Sequence, residues 1–599
     1  MRRLNNQWPN TDNAKLYKFF AEICLELVDD RSWESYKAYS LSTISKLIEL
    51  SKACESVKSG SFGKPALKVM IEECNESLHS DPIASSIVSK NMRVIPSFEL
   101  SYDSTLEEIR SNCRMLISIL EPEFKKKAEA LITEEIASGG SKIKIFKYTK
   151  LYISHLVNSG NSKKYVRSCL ERIFLDRDIQ RCSSSLLLGL FQNFSETEFS
   201  YSVYCSVNSN FARMVSRSLS AEILSLNGGE YKKIEIHLPV AFNTTKNSSI
   251  IRFDKVPGNN PYAAAELIFN VLRQLESIVF LYPGAVRAHW ASDAYVVQSK
   301  QNRGVICSAD SSFLSHRRNV ASVRKTTTYV ENLFEVMYKH VRRRDSFAPK
   351  LFRSITTAAL AEKTESKQAQ LVTIWAGFEA ILPELVSEDS VRINHFIKYI
   401  VPSVVLSYPI DNIIECYSNF GKIFGRQFRD FVSDNGVGSD QASKFLSIIV
   451  LGSPVMKKDM CELVSTSPLA LNRLWFLESK FSDPKTFSEY IFSHERRVSW
   501  QIHRIYRERN LIVHSGATSP FLGPLTENAY NYYSKMISSI ESASTIFNNL
   551  GVQERLTLIR HFKDENDRLL KVGINTQSSE AKKKFVFEYV QNRRFINSK

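Results

Sequence analysis

Glycine and proline are scarce in this chain, at 21 and 18 of 599 residues. So few turn-forming residues predict long helices rather than many short strands. The ten cysteines are scattered, and none stands in a CxxC pair. That spacing excludes a zinc ribbon and a thioredoxin-like motif, and leaves reduced thiols in a cytoplasmic protein as the reading. The N-terminus, Met1-Arg2-Arg3-Leu4-Asn5-Asn6-Gln7-Trp8-Pro9, has no apolar core of the kind a secretory signal needs. Apolar runs such as Leu186–Phe191 and Leu446–Leu451 fall far short of the ~20 residues that span a bilayer. No membrane partner is therefore expected. There is no HExxH, no GxSxG and no acidic cluster with metal-ligand spacing. Gly60-Ser-Phe-Gly63-Lys64-Pro65 lacks the spacing of a phosphate loop. Neither a metal nor a cofactor is expected.

What is present fits a folded protein: 43% hydrophobic, 24% charged and 11% aromatic residues, too apolar for a disordered chain. Lys and Arg total 79 against 63 Asp and Glu, for a net charge of +16. Such an excess favours an anionic partner. It does not locate one, because residues 346–599 hold 32 basic and 26 acidic residues, leaving 47 and 37 for residues 1–345.

Three regions are expected: a helical one over 1–225, a mixed α/β element over 226–345 and a helical domain over 346–599. Apolar residues recur every three or four positions in Leu16–Leu27, Leu41–Cys54, 106–137 and 165–193, which predicts helices. Tyr231–Val240 alternates polar and apolar residues as a strand does. Ser249–Phe253, Ala294–Gln298 and Val305–Cys307 are further strand candidates, with a helix over Pro261–Leu281 between them. Arg342-Arg343-Arg344-Asp345 marks a boundary. Beyond it, helices are expected at 355–382, 391–407, 411–433, 440–450, 486–514, 524–550 and 552–572. The fold class is mainly α with a small α/β insert. Lys125–Lys127 and Lys582–Lys584 are basic runs that read as solvated helix faces, and His316-Arg317-Arg318, near Ser311–Ser315, reads as able to bind phosphate without specificity.

The most informative segment is 494–514, with five Arg, two acids and three of the chain's eleven His: His494, His503 and His514. On a helix, Val498, Ile502, Ile505 and Ile512 form one apolar stripe that also carries Arg509. An Arg on a core-facing stripe requires a partner, since a lone buried charge is costly. His503, Arg507, Asn510 and His514 form a second, polar stripe. Ser515-Gly516 ends the helix. Arg holds phosphate through a fixed fork of donors, and His moves protons near neutral pH. Together they suit cleavage of RNA by attack of a 2′-hydroxyl on the adjacent phosphorus. Five residues put Arg509 and His514 about 140° apart, so either the helix distorts near His514 or a second copy completes the site.

Arg509-Asn510-Leu511-Ile512-Val513-His514 resembles the Arg-x4–6-His signature of HEPN-domain ribonucleases, including the polar residue after the Arg. Leu371-Val-Thr-Ile-Trp-Ala-Gly-Phe-Glu-Ala-Ile-Leu382 resembles the first core helix of ApeA-like anti-phage HEPN proteins. The resemblance covers roughly 350–555. It implies a C-terminal HEPN bundle, and a metal-independent endoribonuclease that works as a homodimer and leaves 2′,3′-cyclic phosphate and 5′-hydroxyl ends on RNA or tRNA. His514 would then handle protons, Arg509 would hold the scissile phosphate and Asn510 would orient the site. Arg507 also satisfies the spacing to His514, but Asn510 beside Arg509 favours Arg509. Glu379 reads as a structural partner for such an Arg. Trp375 and Phe378 read as core. His494 and His503 read as ordinary surface or packing residues, either of them able to touch RNA. The setting implied is abortive anti-phage defence, with a phage-derived trigger or an antitoxin as controlling partner. The competing reading is a non-catalytic HEPN-like scaffold that binds RNA, nucleotide or protein, in which His514 merely caps a helix C-terminus.

Overall fold

The computed structural model covers the whole chain and describes residues 4, 7–29, 41–58, 60, 63–91, 99–176, 178–194, 197–219, 221–225, 248–280, 289–309, 331, 334, 335, 338, 347–364, 366–383, 392–546 and 550–592. The strand expected at Tyr231–Val240, His316-Arg317-Arg318 and Arg342–Asp345 lie outside these. The fold is mainly α-helical with one small antiparallel sheet, as its composition predicts.

In chain order the first helices are α1 (Asp12–Leu27), α2 (Thr43–Lys58), α3 (Pro65–Ser80), α4 (Pro82–Asn91), α5 (Leu106–Ala137) and α6 (Lys142–Asn158). Then follow α7 (Lys163–Phe174), α8 (Ser184–Phe191), β1 (Phe199–Asn208), α9 (Ser209–Leu219), β2 (Glu222–Ser225), β3 (Ser248–Gly258), α10 (Pro261–Phe280), β4 (Trp290–Gln298) and β5 (Val305–Ser308). The C-terminal helices are α11 (Phe347–Ala359), α12 (Lys367–Ile381), α13 (Arg392–Val405), α14 (Tyr408–Ile423), α15 (Gly425–Asn435), α16 (Gln441–Leu451), α17 (Pro454–Leu463), α18 (Pro468–Phe481), α19 (Pro484–Ser515), α20 (Leu522–Ile546), α21 (Val552–Ile574) and α22 (Ser579–Asn592).

The chain divides into two compact units. One joins Met1–Tyr152 to Arg317–Lys599, and the other is Ile153–His316. In the first, helices distant in sequence pack together, α1 against α18 and α3 against α19. Helix α5 shows why the local sequence is helical. Thr105 and Glu108 close a reciprocal capping box at its start. Its buried residues, Ile109, Cys113, Leu116, Leu120, Phe124, Ala128, Ile132 and Ile136, recur every three or four positions along one face.

In the second unit the strand order is β2-β3-β1-β4-β5, all antiparallel. Tyr201, Val203, Cys205 and Val207 of β1 share one core cluster with residues of α9 and α10, such as Phe211 and Phe269, while Tyr204 packs in a separate cluster with Ile250 and Tyr295. That is the period-2 geometry of a sheet buried on both faces. The strands at 249–253, 294–298 and 305–307 are present, within β3, β4 and β5. Sheet structure begins earlier than the sequence reading placed it, since β1 and β2 fall in the segment expected to be helical. The expected helix over 165–193 is two helices, α7 and α8. The one over 355–382 is also interrupted: Leu360–Lys363 forms a 3-10 turn, and Ser366 caps α12 by accepting from the Ala369 N–H. The one over 411–433 breaks at Gly425, whose φ of 72° suits glycine.

Candidate functional site

The site is built on the C-terminal half of α19, a helix of 32 residues. Asp483 caps its start by accepting from the backbone N–H groups of Lys485 and Thr486, and Pro484 occupies the first turn. Gly516 ends it at φ 67°, a left-handed conformation that costs glycine little. Glu508 is buried and accepts the backbone N–H of Ser519 at 2.7 Å, drawing the outgoing chain back onto the helix. Burial raises the Glu508 carboxyl above its ordinary pKa.

Val498, Ile502 and Ile505 are buried, and Ile512 is half-buried. Arg509 lies on their face and is half-buried. Its guanidinium Nη2 stands 3.5 Å from Glu379 Oε1, and its Nη1 donates to Asn510 Oδ1 at 3.1 Å. Glu379 comes from α12. The same carboxylate oxygen accepts from the Trp375 indole N–H at 3.1 Å and from Arg392 Nη2 at 3.2 Å. Trp375 is itself fixed, 1% exposed and packed on Phe396 and Tyr506 at centroid distances of 4.7 and 5.4 Å. Helices α12, α13 and α19 thus meet at one aromatic cluster whose polar margin is Glu379, Arg392 and Arg509.

The sequence-derived candidates separate into three places. Arg509, Asn510 and Glu379 stand together. His514 is exposed at the end of the helix beside Val513, which is 50% exposed, and its side chain makes no hydrogen bond or ion pair with a described residue. Arg507 and His503 face elsewhere. Arg507 pairs with Glu49 of α2 at 2.9 Å. His503 is buried, and desolvation together with the Arg507 charge lowers its pKa to about 4, so it is neutral near pH 7. His494 is buried and stacked on Tyr408, and burial holds it well below the ordinary imidazole pKa. Trp375 and Phe378 are core residues.

One residue at this place, Arg392, carried no legible signal. Arg392 sits 13 positions from Glu379, on another helix, and no spacing pattern links them. Arg504, on the neighbouring face of α19, is 3% exposed and bound by both Glu49 and Glu73. Among the described residues no group of three His, Cys, Asp or Glu could hold a metal ion, and no helix is long and apolar enough to cross a membrane. Comparison with protein-family models, curated proteins and solved structures finds no match to this chain.

Proposed function

We propose that this protein is a metal-independent endoribonuclease of the HEPN type, cleaving RNA or tRNA. One observation carries the reading: a guanidinium held in place by neighbouring side chains, followed five residues later on the same helix by an exposed histidine with no side-chain partner among the described residues. The arrangement divides the labour of internal phosphoryl transfer. Arg509 binds a non-bridging oxygen of the scissile phosphate and stabilises its growing charge. The 2′-oxygen bonds to phosphorus as the bond from phosphorus to the 5′-oxygen breaks. A histidine takes the 2′-hydroxyl proton, and a histidine returns one to the leaving 5′-oxygen. The products are a 2′,3′-cyclic phosphate and a 5′-hydroxyl.

One chain supplies one such His. Arg509 and His514 differ by about 140° in direction and about 7.5 Å in height on an ideal helix. A twofold homodimer through the exposed end of α19 would bring two Arg509 and two His514 side chains to one cleft. Of the two arginines with family spacing, Arg509 is the better choice, because Asn510 stands beside it and its carboxylate contact, 3.5 Å to Glu379, is looser than the 2.9 Å pair of Arg507 with Glu49. Asn510 orients Arg509, and Glu379 positions it. By the resemblance, the cell biology would be cytoplasmic anti-phage defence by abortive infection, under a phage-derived trigger or an antitoxin.

The test is expression of wild type, Arg509→Ala and His514→Ala in growing cells, with and without phage, followed by sequencing of RNA 5′-hydroxyl ends. Wild type should generate new ends and slow growth, and both variants should lose both effects. Equal RNA ends and equal growth in all three sink the nuclease. The ion pair between Arg509 and Glu379 favours one alternative, a HEPN-like scaffold in which Arg509 is structural. In that case purified protein binds RNA, nucleotide or a protein partner and never cleaves RNA.

A further inference from the structure

Glu379 Oε1 is a point of convergence. Two guanidiniums, Arg392 from α13 and Arg509 from α19, point at this single oxygen at 3.2 and 3.5 Å, and the Trp375 indole N–H approaches it at 3.1 Å. A carboxylate ringed by two Arg is the arrangement in which a protein binds an oxyanion. The positive charge exceeds the negative one by a unit, so the group retains attraction for a further anion. The Arg392 side chain is 55% exposed, so it is within reach of a ligand from solvent.

We propose that Arg392 joins Arg509 in binding one RNA phosphate group, with Glu379 holding the two guanidiniums together before RNA arrives. This rests on the reading of Arg509 as the phosphate-binding residue. It adds a contact from a second helix, outside the segment that carries the Arg and His. Two forks converging on one phosphate fix its orientation better than one, which a reaction requiring in-line displacement needs. Trp375 and its aromatic neighbours anchor Glu379, so the pair is preorganised at little cost on binding.

The experiment uses full-length protein in the His514→Ala background, so that RNA stays intact, and a short single-stranded RNA with a 5′-fluorescein label, read by anisotropy. Arg392→Ala should weaken binding about tenfold, the loss expected for one charge-assisted contact. It should also flatten the dependence of log affinity on log salt by up to roughly 0.7. Because both arginines serve one phosphate, Arg392→Ala with Arg509→Ala should cost clearly less than the product of the single losses. Arg392→Lys, which keeps the charge without the fork, should recover part of the affinity. Coupling through Glu379 alone is separated by the Glu379→Gln background, where Arg392→Ala must still weaken binding. Unchanged affinity and salt slope in Arg392→Ala overturn the proposal, as does loss of the effect in Glu379→Gln protein. Thermal melting of each variant shows that the fold is retained. A parallel cleavage assay with His514 intact keeps the two ideas apart: RNA bound through both arginines but never cut defeats the nuclease and leaves the phosphate pair standing.

Discussion

Arg504 and Glu49 are 455 residues apart in the chain and 2.9 Å apart in the fold. Arg504 Nε donates to both oxygens of Glu49, its Nη2 donates to Glu73 at 2.6 Å, and Arg507 takes a second bond to Glu49. Lys46 lies 3.5 Å from Glu73. Helices α2 and α3 are thereby pinned to α19 between about half a turn and one and a half turns before Arg509.

Removing one partner of a buried pair leaves the remaining charges unsatisfied, which costs about 3–5 kcal/mol. Arg504→Ala should lower unfolding free energy by about that amount in urea titrations. Arg496→Ala should cost at most about 1 kcal/mol, because its pair with Glu76 is exposed. Equal effects of the two variants would show that burial does not govern the Arg504 contacts.

Two buried groups give opposite pH signatures. His503 has its folded pKa lowered from 6.5 to about 4 by desolvation and by Arg507. The unfolded chain binds its proton first, so the His503 contribution is intact above pH 6.5 and is lost as pH falls toward 4. Glu22 has its carboxyl raised from 4.5 to about 7, chiefly by burial. Its contribution is intact below pH 4.5 and is lost as pH rises through 7. The stability of His503→Gln relative to wild type should therefore rise by about 1.4 kcal/mol per pH unit on acidification within that window. Glu22→Gln, which can still accept from the Leu469 N–H, should gain on wild type as pH rises. Chemical denaturation from pH 4 to 8 checks both, and flat difference curves would contradict the assigned environments.

Gly377 packs α12 closely against its neighbours. A Cβ there would stand 2.9 Å from Ala358 Cβ, 3.1 Å from Tyr533 Cε2 and 3.2 Å from the Ser354 carbonyl oxygen. Gly377→Ala should destabilise by about 1–3 kcal/mol through overpacking, despite the better helix propensity of alanine. A gain in melting temperature would show that α11 and α20 can move aside.

Much of the helical structure was legible. The 106–137 helix matches α5, and 486–514 lies within α19, because apolar spacing and end caps are local properties. The strand β1 was equally local: Phe199, Tyr201, Val203, Cys205 and Val207 alternate with Ser200, Ser202, Tyr204 and Ser206. A helical reading of the segment before it obscured that alternation. Helix breaks were harder to see. Apolar periodicity continues through Phe424 and Gly425, and only the left-handed φ of Gly425 parts α14 from α15.

The sequence by itself determined that the chain is mainly helical, that α19 ends at Ser515-Gly516, and that Arg509 lies on a face requiring a partner. These follow from the 3.6-residue repeat and from backbone groups left open at helix ends. Only the tertiary structure decided the partners: Glu379 and Asn510 for Arg509, Glu49 for Arg507, Arg392 beside Arg509, and none among the described residues for His514. Which charges meet depends on how helices from distant parts of the chain pack, and a buried charge accepts whichever opposite charge that packing delivers.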